Sequence, residues 1–447
     1  MADGTAALAA PSLRELLRRV WVLAAPTTAV AALQSAAQLV EPWLAARQGT
    51  AALAGWAVVL PFALLMQQMS TGAMGGGVVS AIARALGAGK REEASTLVVH
   101  AVVIALGFGL AFAVALAGFP RAILGLIGGP EAAEAAAAYC AWLFGAGAVP
   151  AWLANTFASV LRGGGRHALA SRVLLLAWVA YPVLAWLLME QARFGLAGAG
   201  MAFAISMAAA SVGMAVVVLR GGAGFVPDLR VRLQGALFGR ILSVGLVACA
   251  MATVANLATI LVTARVASYG AVAVAAYGVS ARIEFLMVPL AFGVGSALTA
   301  LVGRAVGAGD WATARRTAWA GAAMALAVTL VVGVFVAAAP GFTASAFTRD
   351  PAVVEIATQA LAVIGFALPG FGVGMALYFA SMGAGRMAGP VVAALTRIGL
   401  AVGGGWVLSD LLGYGLQGQF VAVALGISAY GLITALSVRP GVWAARG

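Results

Sequence analysis

The chain carries the sequence ARALGAGK at residues 83–90 a second time, as GRAVGAGD at residues 303–310. The motif LRGGGR at 161–166 returns as SMGAGR at 381–386, at the same spacing as the first pair. A third pair, GTAALAGW at 49–56 and GAVAVAAY at 270–277, has a spacing that is longer by a single position. Three matches at nearly one spacing predict that the two halves of the chain are copies of one unit.

The composition places both copies in a membrane. Hydrophobic residues make up 63% of the 447 residues and charged residues 9%, whereas soluble domains are about 45–50% apolar and about 25% charged. A helix crosses a bilayer with about 20 mostly apolar residues. Runs of sufficient length lie at 20–46, 51–83, 95–118, 132–160, 171–191, 195–219, 236–266, 271–302, 313–338, 352–382, 390–412 and 416–438.

An even number of spans in each copy gives both copies the same orientation. The sequence therefore predicts an all-α integral membrane protein with about twelve transmembrane helices in two parallel six-helix lobes. Its predicted divisions are an N-terminal segment at 1–19, an N-lobe at 20–219, a linker at 220–234, a C-lobe at 235–438 and a tail at 439–447. Such a pair of lobes suits a central cavity that opens alternately to either side, and we expect a monomer surrounded by membrane lipids.

The basic residues indicate how the helices are oriented. With the N-terminus placed inside the cell, 19 of the 26 basic residues lie in cytoplasmic breaks and two lie within helices. The remaining five on the opposite side are Arg47, Arg121, Arg193, Arg265 and Arg349. By the positive-inside rule both termini are cytoplasmic, as is the linker. The run from Val20 to Leu44 is too long for a signal peptide, and the excess of arginine over lysine suggests a bacterial inner membrane.

Several function classes are excluded or disfavoured. The net charge of +12 is explained by topology signals, so no nucleic-acid partner is expected. Cys140, Cys249, His100 and His167 lie far apart without metal-ligand spacing, which predicts no metal site and no bound cofactor. A clustered set of catalytic residues at a helix end is also missing from the sequence, so an enzyme is not expected.

A polar stripe on helix 1 is the first candidate site. Thr27, Gln34, Gln38 and Glu41 follow helical spacing, and Pro42 leaves the carbonyl of Gln38 without its helical partner. An acid within the membrane is costly and therefore a candidate for function. Burial raises the pKa of a carboxylic acid towards neutrality, which would allow proton exchange. The alternative is that Glu41 pairs with Arg47 near the outer surface.

A second intramembrane acid, Glu284, shares a face of the eighth predicted span, 271–302, with Tyr277 and Met287. It is either a second coupling or substrate site or half of an ion pair with Arg265 or Arg397, and both hypotheses remain open. Further polar or flexible side chains predicted to line a substrate cavity are Met66, Gln67, Asn256 and Thr259, in addition to Gln34, Gln38, Tyr277 and Met287.

The paired glycine loops, together with ARIEFLMVP at 281–289 leading into the second copy, resemble the signature of the multidrug and toxin extrusion (MATE) transporters. The resemblance covers nearly the whole chain. It implies an antiporter that exports organic cations and drugs against a proton or sodium gradient, with Glu41 at the place of the family's helix-1 aspartate and Asn155 as a possible partner. Where a full sodium site of the family has Asn and Asp, this chain has Ala177 and Tyr181, which favours protons.

One rival from the same broad superfamily is a flippase for lipids or lipid-linked saccharides. Its cavity would need several inward-facing arginines to hold phosphates, and the sequence places only Arg282 and Arg397 within helices. The export of organic cations is therefore the preferred interpretation.

Overall fold

A computed structural model describes residues 11–444, apart from the side chains of residues 127 and 128. Within that range the chain is helical and contains no strand. The helices of the first half are α1 (Leu13–Arg47), α2 (Thr50–Gln68), α3 (Met74–Gly87), α4 (Arg91–Gly118), α5 (Pro120–Cys140), α6 (Ala148–Gly163), α7 (His167–Trp186) and α8 (Leu196–Leu219). Three π-helical turns interrupt or extend them, at Met69–Ala73, Ala141–Ala146 and Leu187–Gln191.

The second half repeats this order. Its helices are α9 (Gly235–Ala267), α10 (Ala271–Gly307), α11 (Trp311–Ala338), α12 (Pro340–Ser345), α13 (Pro351–Ile364), α14 (Leu368–Ala384), α15 (Ala388–Ile398) and α16 (Gly415–Ser437), with π-helical turns at Gly399–Gly404 and Val407–Leu411 and a 3₁₀ turn at Gly365–Ala367. Among the described residues, 11 helical stretches are long and apolar enough to span a membrane, or up to 12 if the bent stretch 129–163 counts as one span. The predicted fold class is confirmed.

Helix α1 begins earlier than the apolar pattern predicted. Ser12 caps it by accepting a hydrogen bond from the backbone N–H of Glu15, so the basic segment before Val20 is the first part of the same helix. The predicted N-terminal segment and C-terminal tail lie partly outside the described residues.

Matching glycines mark the two copies in the backbone itself. Gly89 and Gly309 have φ angles of 75° and 77°, and Gly195 and Gly415 have φ angles of 56° and 55°. Glycine adopts this left-handed conformation without the steric cost that a side chain would add. Because both pairs have the spacing of the repeated glycine loops, the same turns separate the same helices in both lobes.

The first glycine of each loop serves close packing instead. A Cβ added to Gly87 would collide with the backbone oxygen of Arg304, and one added to Gly307 would collide with the backbone oxygen of Arg84. The two copies of the loop therefore press against each other reciprocally, as expected for lobes related by a rotation about the membrane normal.

We call the side of the molecule that carries the loops at 88–90, 164–166, 308–310 and 385–387 the glycine-loop end. The lobes are joined there: Ser80 donates to the carbonyl of Met382 at 2.7 Å, and Arg304 donates to the carbonyl of Gly164 at 2.8 Å. Glu93 and Arg240 form an ion pair between the lobes at the same end. Among residues 11–444, we identify no hydrogen bond or ion pair that joins the lobes at the opposite end.

Candidate functional site

Glu41 lies inside the N-lobe, near the end opposite the glycine loops. Its side chain is on the buried face of α1, and the residue is 9% exposed. The hydroxyl of Tyr139, on α5, donates to Glu41 Oε1 at 2.7 Å. Tyr181 on α7 and Trp56 on α2 also approach the carboxylate. Three helices thus converge on one acid, and each contributes a group that can donate a hydrogen bond to it.

A small cavity adjoins this carboxylate. Its volume is about 30 Å³, and a site of that size with polar partners has room for a water molecule. It is lined by Gln38, Glu41, Leu60, Ala63, Leu64, Met66, Gln67, Tyr139, Leu143, Trp178, Tyr181 and Phe203. Four residues singled out from the sequence therefore meet here: Glu41, Gln38, Met66 and Gln67.

Glu41 does not pair with Arg47. Arg47 instead forms an ion pair with Glu190 at 2.7 Å, and its guanidinium lies 5.0 Å from the ring centre of Trp43. Among the described residues, we identify no basic partner for Glu41. A carboxylate held by a hydroxyl beside a cavity, without a fixed counter-charge, has the chemistry required to take up and release a cation.

Asn155 joins this site indirectly, through Gln67. Its Nδ2 donates to Ser70 Oγ at 2.9 Å and lies 3.4 Å from Gln67 Oε1. The other amide atom of Gln67, Nε2, is buried and has no hydrogen-bond partner among the described residues, while the side chain lines the cavity that Glu41 also lines. Gln67 is therefore the link between the predicted partner residue and the acid.

A π-helical turn shapes this link. Gly49 matches Gly270 and Gly87 matches Gly307, so the N-lobe uses one residue more than the C-lobe between these two glycines. The C-lobe helix α10 is continuous, whereas its N-lobe counterpart contains the π turn Met69–Ala73. The turn accommodates the extra residue, as π-bulges do, and it presents Ser70 to Asn155.

Glu284 forms an ion pair with Arg397, on α15, so the ion-pair alternative is the arrangement observed. The other basic residue considered, Arg265, pairs with Asp410 at 3.0 Å. Arg397 also faces two aromatic rings. A coupling role for Glu284 would require this pair to open.

The remaining predicted residues do not gather at the N-lobe cavity. Asn256 donates to Gln68 Oε1 at 2.9 Å and so connects the lobes, and Thr259 is exposed and bonds its own helix backbone. Tyr277 and Met287 are half-buried and pack in the C-lobe, and Gln34 is half-buried outside the cavity lining.

Sequence reasoning missed the aromatic wall of the site. Tyr139, Trp178 and Phe203 line the cavity, but each lies in an alanine-rich or apolar run without a helical polar pattern. It also missed that Thr27, the first residue of the polar stripe, contacts His167 Nδ1 at 3.1 Å. The contacts of Tyr139 with Glu41 and of Thr27 with His167 both join helices that are far apart in the chain.

Comparison with known proteins gives a consistent result. The MatE family model matches residues 26–187 and again 246–407, two stretches displaced by the spacing of the glycine-loop repeat. Probable multidrug resistance proteins NorM are similar: that of Caulobacter vibrioides is 30% identical over 154 residues, and that of Xanthomonas campestris is 26% identical over 253 residues. These matches span 34% and 56% of this chain and 33% and 55% of the relatives, so the chain matches about half the length of these relatives or less.

The fold is also found among solved structures. The outward-facing conformation of a multidrug resistance MATE family transporter of the MOP superfamily superposes with a TM-score of 0.89 at 22% sequence identity. The superposition covers 97% of this chain and 96% of that one, so both lobes are included.

Proposed function

Since this chain belongs to the MatE family of membrane transporters, we propose that it exports organic cations in exchange for protons, by alternating access to the space between its lobes. The observation that carries the proposal is Glu41: a buried carboxylate without an identified basic partner among the described residues, beside a cavity in the N-lobe. The name of the two relatives, multidrug resistance protein, supports drug-like compounds as the exported class.

Protons are preferred to sodium because of the groups around the carboxylate. Tyr139, Tyr181 and Trp56 present hydrogen-bond donors to Glu41, and Asn155 directs an N–H group at Ser70 and Gln67. A sodium ion requires several oxygen ligands, whereas a proton requires one acceptor and a water path. In the proposed cycle a proton binds Glu41 from the outside, the charge of the site is lost, and a bound cation is released.

The proposed orientation places the glycine-loop end in the cytoplasm, within a bacterial inner membrane, with both termini on that side. In this orientation Gly87, Gly307 and the contacts around them close the cytoplasmic side. The arrangement then corresponds to an outward-open state. The similarity to a transporter in its outward-facing conformation supports this assignment. Return to the inward-open state requires the glycine loops to separate.

The experiment that tests the proposal uses purified protein in liposomes loaded with ethidium. Ethidium efflux is measured with an inward proton gradient, with an inward sodium gradient at constant pH, and with neither. We expect efflux in the first condition alone. Efflux driven equally by sodium at constant pH would overturn proton coupling, and the absence of efflux in all conditions would overturn the export of organic cations.

A further inference from the structure

Arg397 occupies a cage inside the C-lobe. Its guanidinium contacts the carboxylate of Glu284, and its central carbon lies 5.7 Å from the ring centre of Phe371 and 5.8 Å from that of Tyr430. These distances are within the range of cation–π attraction. The side chains of Arg397 and Glu284 are 28% and 24% exposed, so the surrounding helices do not fully enclose the pair.

The fold does not require this cage. When the two copies are aligned on their repeated motifs, the N-lobe counterparts of Glu284, Phe371, Arg397 and Tyr430 are residues 63, 151, 177 and 210, and all four are alanine. One of these, Ala63, lines the cavity beside Glu41. The same architecture therefore packs with four small residues in one lobe and with a complete set of charged and aromatic groups in the other.

Stability does not explain the cage either. Replacing a buried ion pair by apolar residues of similar size is often neutral or stabilising, and charged groups within a membrane are costly. By contrast, one carboxylate with two aromatic faces is the set of groups that recognises an organic cation. The guanidinium of Arg397 is itself a planar organic cation, attached to the protein by its own side chain.

We propose that Glu284, Phe371 and Tyr430 form a binding site for planar organic cations of the guanidinium or amidinium type, and that Arg397 fills it as a tethered ligand. An external cation binds when Arg397 withdraws, and the two compete for one carboxylate. This differs from the N-lobe site, where Glu41 has a hydroxyl partner. That the competing cation is an exported substrate rests on the proposed function; the occupancy of the cage by Arg397 does not.

Chemical rescue tests the inference on the purified full chain, without transport. Arg397→Ala leaves Glu284 as an orphaned charge, which lowers the midpoint of thermal unfolding. Ethylguanidinium at millimolar concentration should raise that midpoint in a saturable manner, because a ligand that binds the folded state stabilises it. Ethylammonium at equal ionic strength is the ligand control. The matched variant, Glu284→Gln combined with Arg397→Ala, should melt above the single variant and show no response to ethylguanidinium.

Each outcome decides the question. If the single variant is recovered folded only in the presence of ethylguanidinium, while the double variant is recovered without it, the inference holds. If ethylguanidinium leaves the melting midpoint of the folded single variant unchanged, or if the single variant aggregates with and without it while the double variant folds, the ion pair is structural and the inference is wrong. Ethidium efflux by the unmodified protein is measured separately, so failure of the rescue is distinguished from failure of the export function.

Discussion

Replacing Gly87 by alanine should weaken the closure of the glycine-loop end. The added Cβ would collide with the backbone oxygen of Arg304, and a backbone atom cannot turn aside as a side chain can. Overpacking of this kind costs about 1–3 kcal/mol, against a gain of at most about 1 kcal/mol in helix propensity. The propensity gain applies to open and closed molecules alike and cancels from their ratio. An overpacking cost of about 2 kcal/mol, borne only while the two loops touch, would change the ratio of closed to open molecules about thirty-fold.

Spin labels at positions 88 and 308 report this change. Both residues lie on the glycine loops, one in each lobe, and neither is buried, whereas the two native cysteines are buried. We expect the distance distribution between the labels to gain a longer component in Gly87→Ala. Gly107→Ala is the matched control, since Gly107 is also helical but has nothing within 4 Å of an added Cβ. An unchanged distribution in Gly87→Ala, at unchanged stability, would refute the close contact between the loops.

Three further changes follow from local contacts. Asp310→Ala removes the cap at the start of α11, where Asp310 accepts from a backbone N–H at 2.9 Å, and should cost about 0.5–2 kcal/mol. The hydrogen bonds to Thr313 lower the pKa of Asp310. The stability difference between the two proteins should therefore be seen in thermal unfolding at neutral pH and should disappear as the pH falls through that lowered pKa. Equal unfolding of the two proteins at neutral pH would contradict the cap. Tyr139→Phe deletes the 2.7 Å hydrogen bond to Glu41. With the acid ionised, this loss should reduce the free energy of unfolding by about 1.5–3 kcal/mol. Denaturation curves of the two proteins measure this, and identical curves would count against the hydrogen bond. Ser80→Ala removes the hydrogen bond to a carbonyl of α14. The longer component of the distance distribution between the labels at 88 and 308 should grow less than in Gly87→Ala, since a neutral hydrogen bond contributes about 1 kcal/mol. An unchanged distribution would show that this hydrogen bond does not hold the lobes together.

Sequence alone predicted the features that depend on local pattern and on repetition. Apolar run length predicted the spans, and the constant spacing of the repeated motifs predicted the parallel lobes, because a duplicated unit must fold in the same way twice. The spacing of Gln38 and Glu41 likewise placed both on one face of α1, where they line the same cavity.

Contacts between distant helices could not be predicted in this way. Nothing near Tyr139 in the sequence indicates that its hydroxyl faces Glu41, since the pairing depends on how α5 and α1 are both placed beside α2. Arg397 was one of two arginines that could have reached Glu284, and the choice was decided by the position of α15. The π turn beginning at Met69 is indicated in the sequence only by the one-residue difference between two repeat spacings.

The central claim, that Glu41 couples proton entry to cation export, is tested most directly by Glu41→Gln in proteoliposomes. Glutamine keeps the size of the side chain and removes its titration, and a neutral group is easier to bury than a charged one, so folding should be preserved. We predict that ethidium efflux driven by a proton gradient falls to the level seen without a gradient, while ethidium binding in detergent persists. Full gradient-driven efflux by Glu41→Gln would contradict the assignment of the coupling site to the N-lobe.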